Sequence, residues 1–237
     1  MDKKVIFITG ASGGLGTVMS SFFYEQGYRL VLHHHQNDLN LPEDDAVLHV
    51  KGDLRNPDAI KNMFEKALSQ FGKVDILINN AGVSKSSVSW KTSAESWEET
   101  IDINLSAAFY SCKEVIPSMR ENNWGRIINI SSVVAQSGVV GTIAYAASKA
   151  GLIGMTKTLS KELASSNITV NALALGYFNK GMINDVPEEI KQVIIETIPT
   201  KKLRDPKSIC ETISLLLKEE GEYITGQTIN LNGGLLT

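Results

Sequence analysis

The chain has 237 residues, of which 43% are hydrophobic and 21% charged, and a formal net charge of -3. That composition supports one α/β domain with a large core. It does not fit a nucleic-acid-binding protein, because basic residues are neither in excess nor clustered. No apolar run approaches the roughly 20 residues of a bilayer crossing, so no membrane partner is expected. The first such run, Val5 to Ile8, is too short for a signal peptide and has no small-residue cleavage site after it. The two cysteines, Cys112 and Cys210, each fall in a predicted helix. They read as buried free thiols, which places the protein in the cytoplasm.

Short apolar runs alternate with helical periods along the whole chain. Strands are predicted at Val5 to Ile8, Arg29 to His33, Ala46 to Val50, Val74 to Asn79, Arg126 to Ile130, Thr169 to Ala174 and Thr228 to Leu231. The first six runs are continuous rather than alternating, as in strands covered on both faces. Helices are predicted over Leu15 to Gln26, Ser93 to Glu121, Ala144 to Ser165, Pro187 to Thr197 and Pro206 to Lys218. The clearest helix starts at Asn56-Pro57, a good N-cap followed by a good first position, and leaves at Gly72. Repeated β-α-β order implies a single-domain α/β fold: a doubly wound parallel sheet of about seven strands, with helices on both faces. Ligands in such sheets sit beyond the carboxyl ends of the strands.

Chemistry-bearing residues fall where that rule places them. After the first strand comes Thr9-Gly10-Ala11-Ser12-Gly13-Gly14-Leu15-Gly16 and then a helix. Glycines let this backbone turn sharply and approach a pyrophosphate, and the helix start offers free N–H groups. Gly10, Ser12, Gly13, Gly14, Leu15 and Gly16 are therefore candidate dinucleotide ligands. The second strand ends in His33-His34-His35-Gln36-Asn37, and its first carboxylate is Asp38. An acid at the strand end would repel a ribose 2′-phosphate, whereas imidazoles attract one. His34 and His35 are thus expected to favour NADP(H) over NAD(H). Adjacent side chains of a strand point to opposite faces, so the His triplet is not expected to bind a metal. Asp53, followed by Leu54, is placed to accept from an adenine amino group. Asn80, Ala81 and Gly82 form a small-residue loop that passes close to the nucleotide.

The fifth strand leads into a loop carrying Ser131 and Ser132, followed by Tyr145-Ala-Ala-Ser-Lys149. Tyr and Lys at i and i+4 share one helix face. A phenol of pKa about 10 is a poor proton donor near neutrality, and a neighbouring ammonium lowers that value. Tyr145 is therefore the expected acid–base group and Lys149 its cationic partner. Ser132 is expected to donate to the same substrate oxygen. Ser131 is the weaker candidate, because it faces the other way if strand geometry persists. Asn104 is placed to fix a water that connects Lys149 to solvent.

Taken together, these motifs resemble the short-chain dehydrogenase/reductase family over essentially the whole chain. Its Thr-Gly-x-x-x-Gly-x-Gly loop matches Thr9 to Gly16, its Asn-Asn-Ala-Gly matches Asn79 to Gly82, and its Asn-Ser-Tyr-Lys tetrad matches Asn104, Ser132, Tyr145 and Lys149. The thirteen-residue step from Ser132 to Tyr145 is usual for the family. The resemblance implies a Rossmann-type fold, and adds Tyr145, Lys149, Gly176 and Phe178 to the cofactor contacts. It also implies a substrate lid at residues 177–199. Within the family, Tyr145 to Leu159, Asn167 to Asn171, Tyr223 to Gln227 and Asn232 to Gly234 look like bacterial 3-oxoacyl-carrier-protein reductases. Those enzymes reduce a β-ketoacyl thioester with NADPH, usually as homotetramers in which the helices matching Ser93–Glu121 and Ala144–Ser165 pack between subunits. The expected function is therefore reduction of a 3-oxoacyl thioester, on a carrier protein or a related carrier, in fatty-acid or polyketide-type biosynthesis. The alternatives are a dehydrogenase for another small alcohol or ketone, such as a sugar or steroid, or a non-catalytic dinucleotide-binding regulator. The chain departs from that pattern in several places. Leu175-Gly176 replaces Pro-Gly, and Lys180 replaces a frequent Thr. Asn123 and Ser166 stand where carrier-protein reductases tend to have arginines, which weakens docking of an acidic carrier. Gly13 stands where NADP-preferring relatives often have Arg.

Overall fold

The computed structural model describes residues 3–237. Seven parallel strands form one sheet in the order β3-β2-β1-β4-β5-β6-β7. These are β1 (Val5–Ile8), β2 (Arg29–His34), β3 (Val47–Lys51), β4 (Ile76–Asn79), β5 (Gly125–Ser132), β6 (Ile168–Leu175) and β7 (Thr228–Leu231). The helices are α1 (Gly14–Glu25), α2 (Pro57–Phe71), α3 (Ala94–Ile101), α4 (Ala107–Glu121), the single turn α5 (Val134–Ser137), α6 (Ile143–Leu163), α7 (Glu188–Thr197) and α8 (Lys207–Leu217).

The continuous apolar strands are explained by two cores. On β1, Ile6 and Ile8 enter one core with Met19 and Phe23 of α1 and Ile209 and Ile213 of α8. Val5 and Phe7 enter the other, with Ile60, Met63 and Phe64 of α2 and Cys112 and Val115 of α4. Alternate side chains therefore face opposite layers, and both layers are apolar. Both cysteines are buried and free. Helix α2 is capped as its sequence implies. The Asn56 side chain accepts from the Asp58 N–H at 2.9 Å, and Gly72 ends the helix in the left-handed conformation at φ 73°.

Two predicted segments change. The helix expected over residues 93–121 is broken by a π-helical turn at Asp102–Ser106, where i→i+5 bonding takes up one extra residue. The expected loop carrying Ser131 and Ser132 is strand, because Ser131 pairs with Ala174 and Ser132 with Leu175 of β6. Strand order reverses at β1, which has β2 on one side and β4 on the other. The ligand crevice of a doubly wound sheet lies at such a switch.

Candidate active site

At that switch a cleft of about 570 Å³ opens beyond the strand ends. Gly10, Ser12, Gly13, Gly14, Leu15 and Gly16 line one wall. Asp53, Leu54, Asn80, Ala81 and Gly82 line the others. The glycine loop is close-packed: a Cβ at Gly10 would lie 2.9 Å from Ala81 Cα, and one at Gly16 would lie 2.2 Å from the Gly10 carbonyl. Helix α1 has Gly13 as its N-cap and no side-chain cap, which leaves first-turn N–H groups available to an anion. Thr9 and Asn80 stitch the loops together. The Thr9 hydroxyl accepts from Asn80 N (3.0 Å) and Ala81 N (3.1 Å), and Asn80 Nδ2 donates to the carbonyls of Thr9 (2.9 Å) and Gly10 (3.0 Å).

The histidines separate by strand alternation. His35 lines the cleft with Gln36 and Asn37. The His34 ring is not on its walls: it bonds the Asn37 carbonyl at 3.1 Å and packs edgewise against His49. The expectation that His34 faces the nucleotide is corrected on this point. Asp53 is held by Arg55 through contacts of 2.6–3.0 Å, which pull its carboxyl down to about 2. Among the described residues, no three His, Cys, Asp or Glu side chains converge as a metal site.

A second cavity of about 560 Å³ adjoins the first, and Leu15, Asn80, Gly82 and Lys180 line both. Ser132, Tyr145, Lys149, Gly176 and Phe178 line this second cavity. Ser132 accepts from Val134 N at 3.3 Å, a bond that does not use its hydroxyl hydrogen. Ser131 also lines this cavity, and its hydroxyl donates to the Lys149 carbonyl at 2.8 Å, fastening β5 to α6. Lys149 is buried, and its Nζ donates to the Ile130 carbonyl at 2.7 Å. Burial lowers its pKa to about 8.

Tyr145 behaves differently from the sequence expectation. Burial raises its pKa, opposed by a hydrogen bond with Ser132. The Lys149 ammonium sits 5.7 Å from the Tyr145 ring centroid and is turned to a backbone carbonyl. Asn104 joins two elements. Its Nδ2 donates to the Val83 carbonyl (2.9 Å) and to Ser148 (3.1 Å), and its Oδ1 accepts from Val83 N (2.8 Å). Its side chain thereby ties the loop after β4 to α6. Ser148 passes the tie on by donating to the Tyr145 carbonyl at 2.7 Å. Sequence reading assigned no tying role to Thr9 or Ser148 and did not find the π turn, because Thr9 reaches Asn80 and Ser148 reaches Asn104 across long stretches of chain.

A glycine-loop cleft that opens into a cavity bearing Ser, Tyr and Lys defines a nucleotide-dependent oxidoreductase of the short-chain type. The comparisons agree. The family model described as short chain dehydrogenase matches residues 4–191, and the chain belongs to that family. It is 35% identical to the 3-oxoacyl-[acyl-carrier-protein] reductase FabG of Staphylococcus epidermidis, across 99% of both chains. It is 38% identical to nodulation protein G of Azospirillum brasilense and 35% identical to the acetoacetyl-CoA reductase of Cupriavidus necator, in each case across 99% of both chains. Its chemistry is therefore oxidoreduction between CH–OH and C=O groups.

Proposed function

We propose that this protein reduces a 3-oxoacyl thioester to the 3-hydroxyacyl thioester with NADPH. The observation that carries the reading is the joining of the two cavities, which sets a nucleotide cleft end to end with the Ser132–Tyr145–Lys149 wall. A dinucleotide fits the residues present: an uncapped helix start for the diphosphate, and small residues where the backbone must approach closely. When bound, it supplies the hydride. As the hydride reaches the carbonyl carbon, Tyr145 donates its phenolic proton to the carbonyl oxygen, and Ser132 donates a hydrogen bond to the same atom. Lys149 then returns a proton toward the phenolate. Asn104, through Ser148, keeps the helix that bears Tyr145 and Lys149 in register with the loop after β4.

Two further features support this reading. His35, Gln36 and Asn37 line the end of the cleft where a 2′-phosphate belongs, and the one carboxylate on its walls near there, Asp53, is neutralised by Arg55. The walls of the reaction cavity include Ile183, Val186, Ile190 and Ile194 from residues 177–199. This apolar segment acts as the lid over an acyl group. A carrier protein or coenzyme A presents the thioester. We further propose a homotetramer with α3, α4 and α6 between subunits, supported by the exposure of Trp97, Phe109 and Ile143 on those helices. The buried free thiols suit a reducing cytoplasm, and no described helix is long and apolar enough to cross a membrane.

The test is turnover of acetoacetyl thioesters, as coenzyme A and carrier-protein forms, with NADPH and NADH. Tyr145→Phe is expected to lower kcat by about 10²–10⁴-fold, with dinucleotide affinity within about threefold of wild type. Wild-type turnover in the Phe variant overturns the mechanism. Equal kcat/KM with both cofactors overturns the phosphate argument.

A further inference from the structure

We propose that His33 is a positioning residue for the cofactor: its imidazole spans the glycine loop and the loop after β3 and sets the width of the adenosine end of the cleft. This inference rests on the dinucleotide reading above. His33 is buried and lines the cleft near Asp53 and Leu54. Its Nδ1 accepts from Gly10 N at 3.0 Å, and its Nε2 lies 3.1 Å from the Gly52 carbonyl. A ring nitrogen that accepts carries no hydrogen, so Nε2 bears the proton and donates to Gly52. A single neutral tautomer therefore satisfies both loops. The His33 main-chain carbonyl also accepts from Ala11 N at 2.8 Å, so one residue holds two successive N–H groups of the glycine loop. Asn80 holds the Thr9 and Gly10 carbonyls on the opposite flank. The loop is clamped between β2 and β4 before any phosphate arrives, which is the preorganisation that tight binding needs.

The charge environment supports a neutral ring. Burial is the largest influence and lowers the His33 pKa to about 4; His34 and His35 on the same strand end push the same way. The Gly52 carbonyl and Asp53, from the segment after β3, oppose them. Protonation at Nδ1 would set a donor against the Gly10 N–H.

The experiment compares wild type, His33→Ala and His33→Asn by calorimetric titration with the oxidised dinucleotide and by steady-state kinetics. Asn keeps an acceptor near Nδ1 but does not reach Gly52. His33→Ala is expected to raise both Kd and KM for the dinucleotide about tenfold or more, with kcat at saturation within about twofold. His33→Asn is expected to recover most of that loss. Its affinity relative to wild type should rise below about pH 5, because the imidazole at this position gains a proton there and the Asn amide does not. Wild-type binding by His33→Ala overturns the inference. So does His33→Asn binding no better than His33→Ala, with kcat reduced in both. If His33→Ala does not fold, the His33→Asn pH series decides alone. Absence of binding by the wild type overturns the dinucleotide reading itself and is distinct from the other outcomes.

Discussion

Lys149 is buried without a carboxylate partner among the described residues, and its pKa falls from 10.5 to about 8. The folded state therefore prefers the neutral amine. Between those two values the unfolded chain holds a proton that the folded chain releases. The resulting penalty grows as pH falls from 10.5 and is complete below 8, at about 3 kcal/mol near neutrality. Lys149→Met should remove the penalty, lose activity, and gain about 1–3 kcal/mol, read as a rise of several degrees in Tm. The same value predicts that kcat/KM for reduction declines above about pH 8, where Lys149 loses its charge, and a pH–rate profile checks this. His33 gives a signature of the same sign in a lower pH window. Its folded pKa is lowered from 6.5 to about 4, so its contribution is intact above pH 6.5 and lost as pH falls toward 4. That contribution is about 3 kcal/mol. Urea midpoints of wild type and His33→Asn should converge over this range. The placement of the glycine loop on one cavity and of Ser132, Tyr145 and Lys149 on the other was legible, because each motif keeps its own spacing. His33 was legible only as one of a triplet, because its partners are backbone groups 23 and 19 residues away. The pairing of His35 with the cleft, and not His34, follows from strand alternation once the register of β2 is known.

At the scale of elements, the π turn at Asp102–Ser106 decides the direction of Asn104. Apolar periodicity continues on both sides of it, so nothing in residues 93–121 marks where the register slips by one. The signal is tertiary: Asn104 finds Val83 and Ser148, and the helix yields to reach them. Ser148 is then the joint between this turn and α6. Ser148→Ala should leave an Asn104 N–H unpaired in a buried site, at a cost of about 1–3 kcal/mol. A drop in urea midpoint of that size, together with a fall in kcat larger than any change in dinucleotide KM, would match this role. An unchanged kcat would reduce Ser148 to ordinary core. Strand β5 runs further than its apolar run because Ser131 and Ser132 are carried in the ladder by β6. Pairing with a neighbour, not propensity, extends it.

At the scale of the whole molecule, the seven strands and their parallel order were legible because each run is apolar on both faces, and two packed layers require that. The shape of the substrate cavity was not, since Ile190 and Ile194 could equally have been buried in a core. The structure sets them on the cavity wall instead. Replacing both with Ser should weaken turnover of longer acyl thioesters more than of acetoacetyl thioesters, seen as a change in chain-length preference of kcat/KM. Near the same wall, the segment after β6 rests on the start of α1: a Cβ at Gly14 would lie 2.5 Å from the Gly181 Cα. Lys180 and Met182, on either side of that contact, line both cavities. The roof of one chamber is thus the doorway of the other. With these two residues bordering both chambers, an ordered sequence is expected, with nucleotide seated first and carbonyl compound second, and departures in reverse. Product-inhibition patterns should show oxidised and reduced nucleotide competing for one form of the protein, while the alcohol competes with neither.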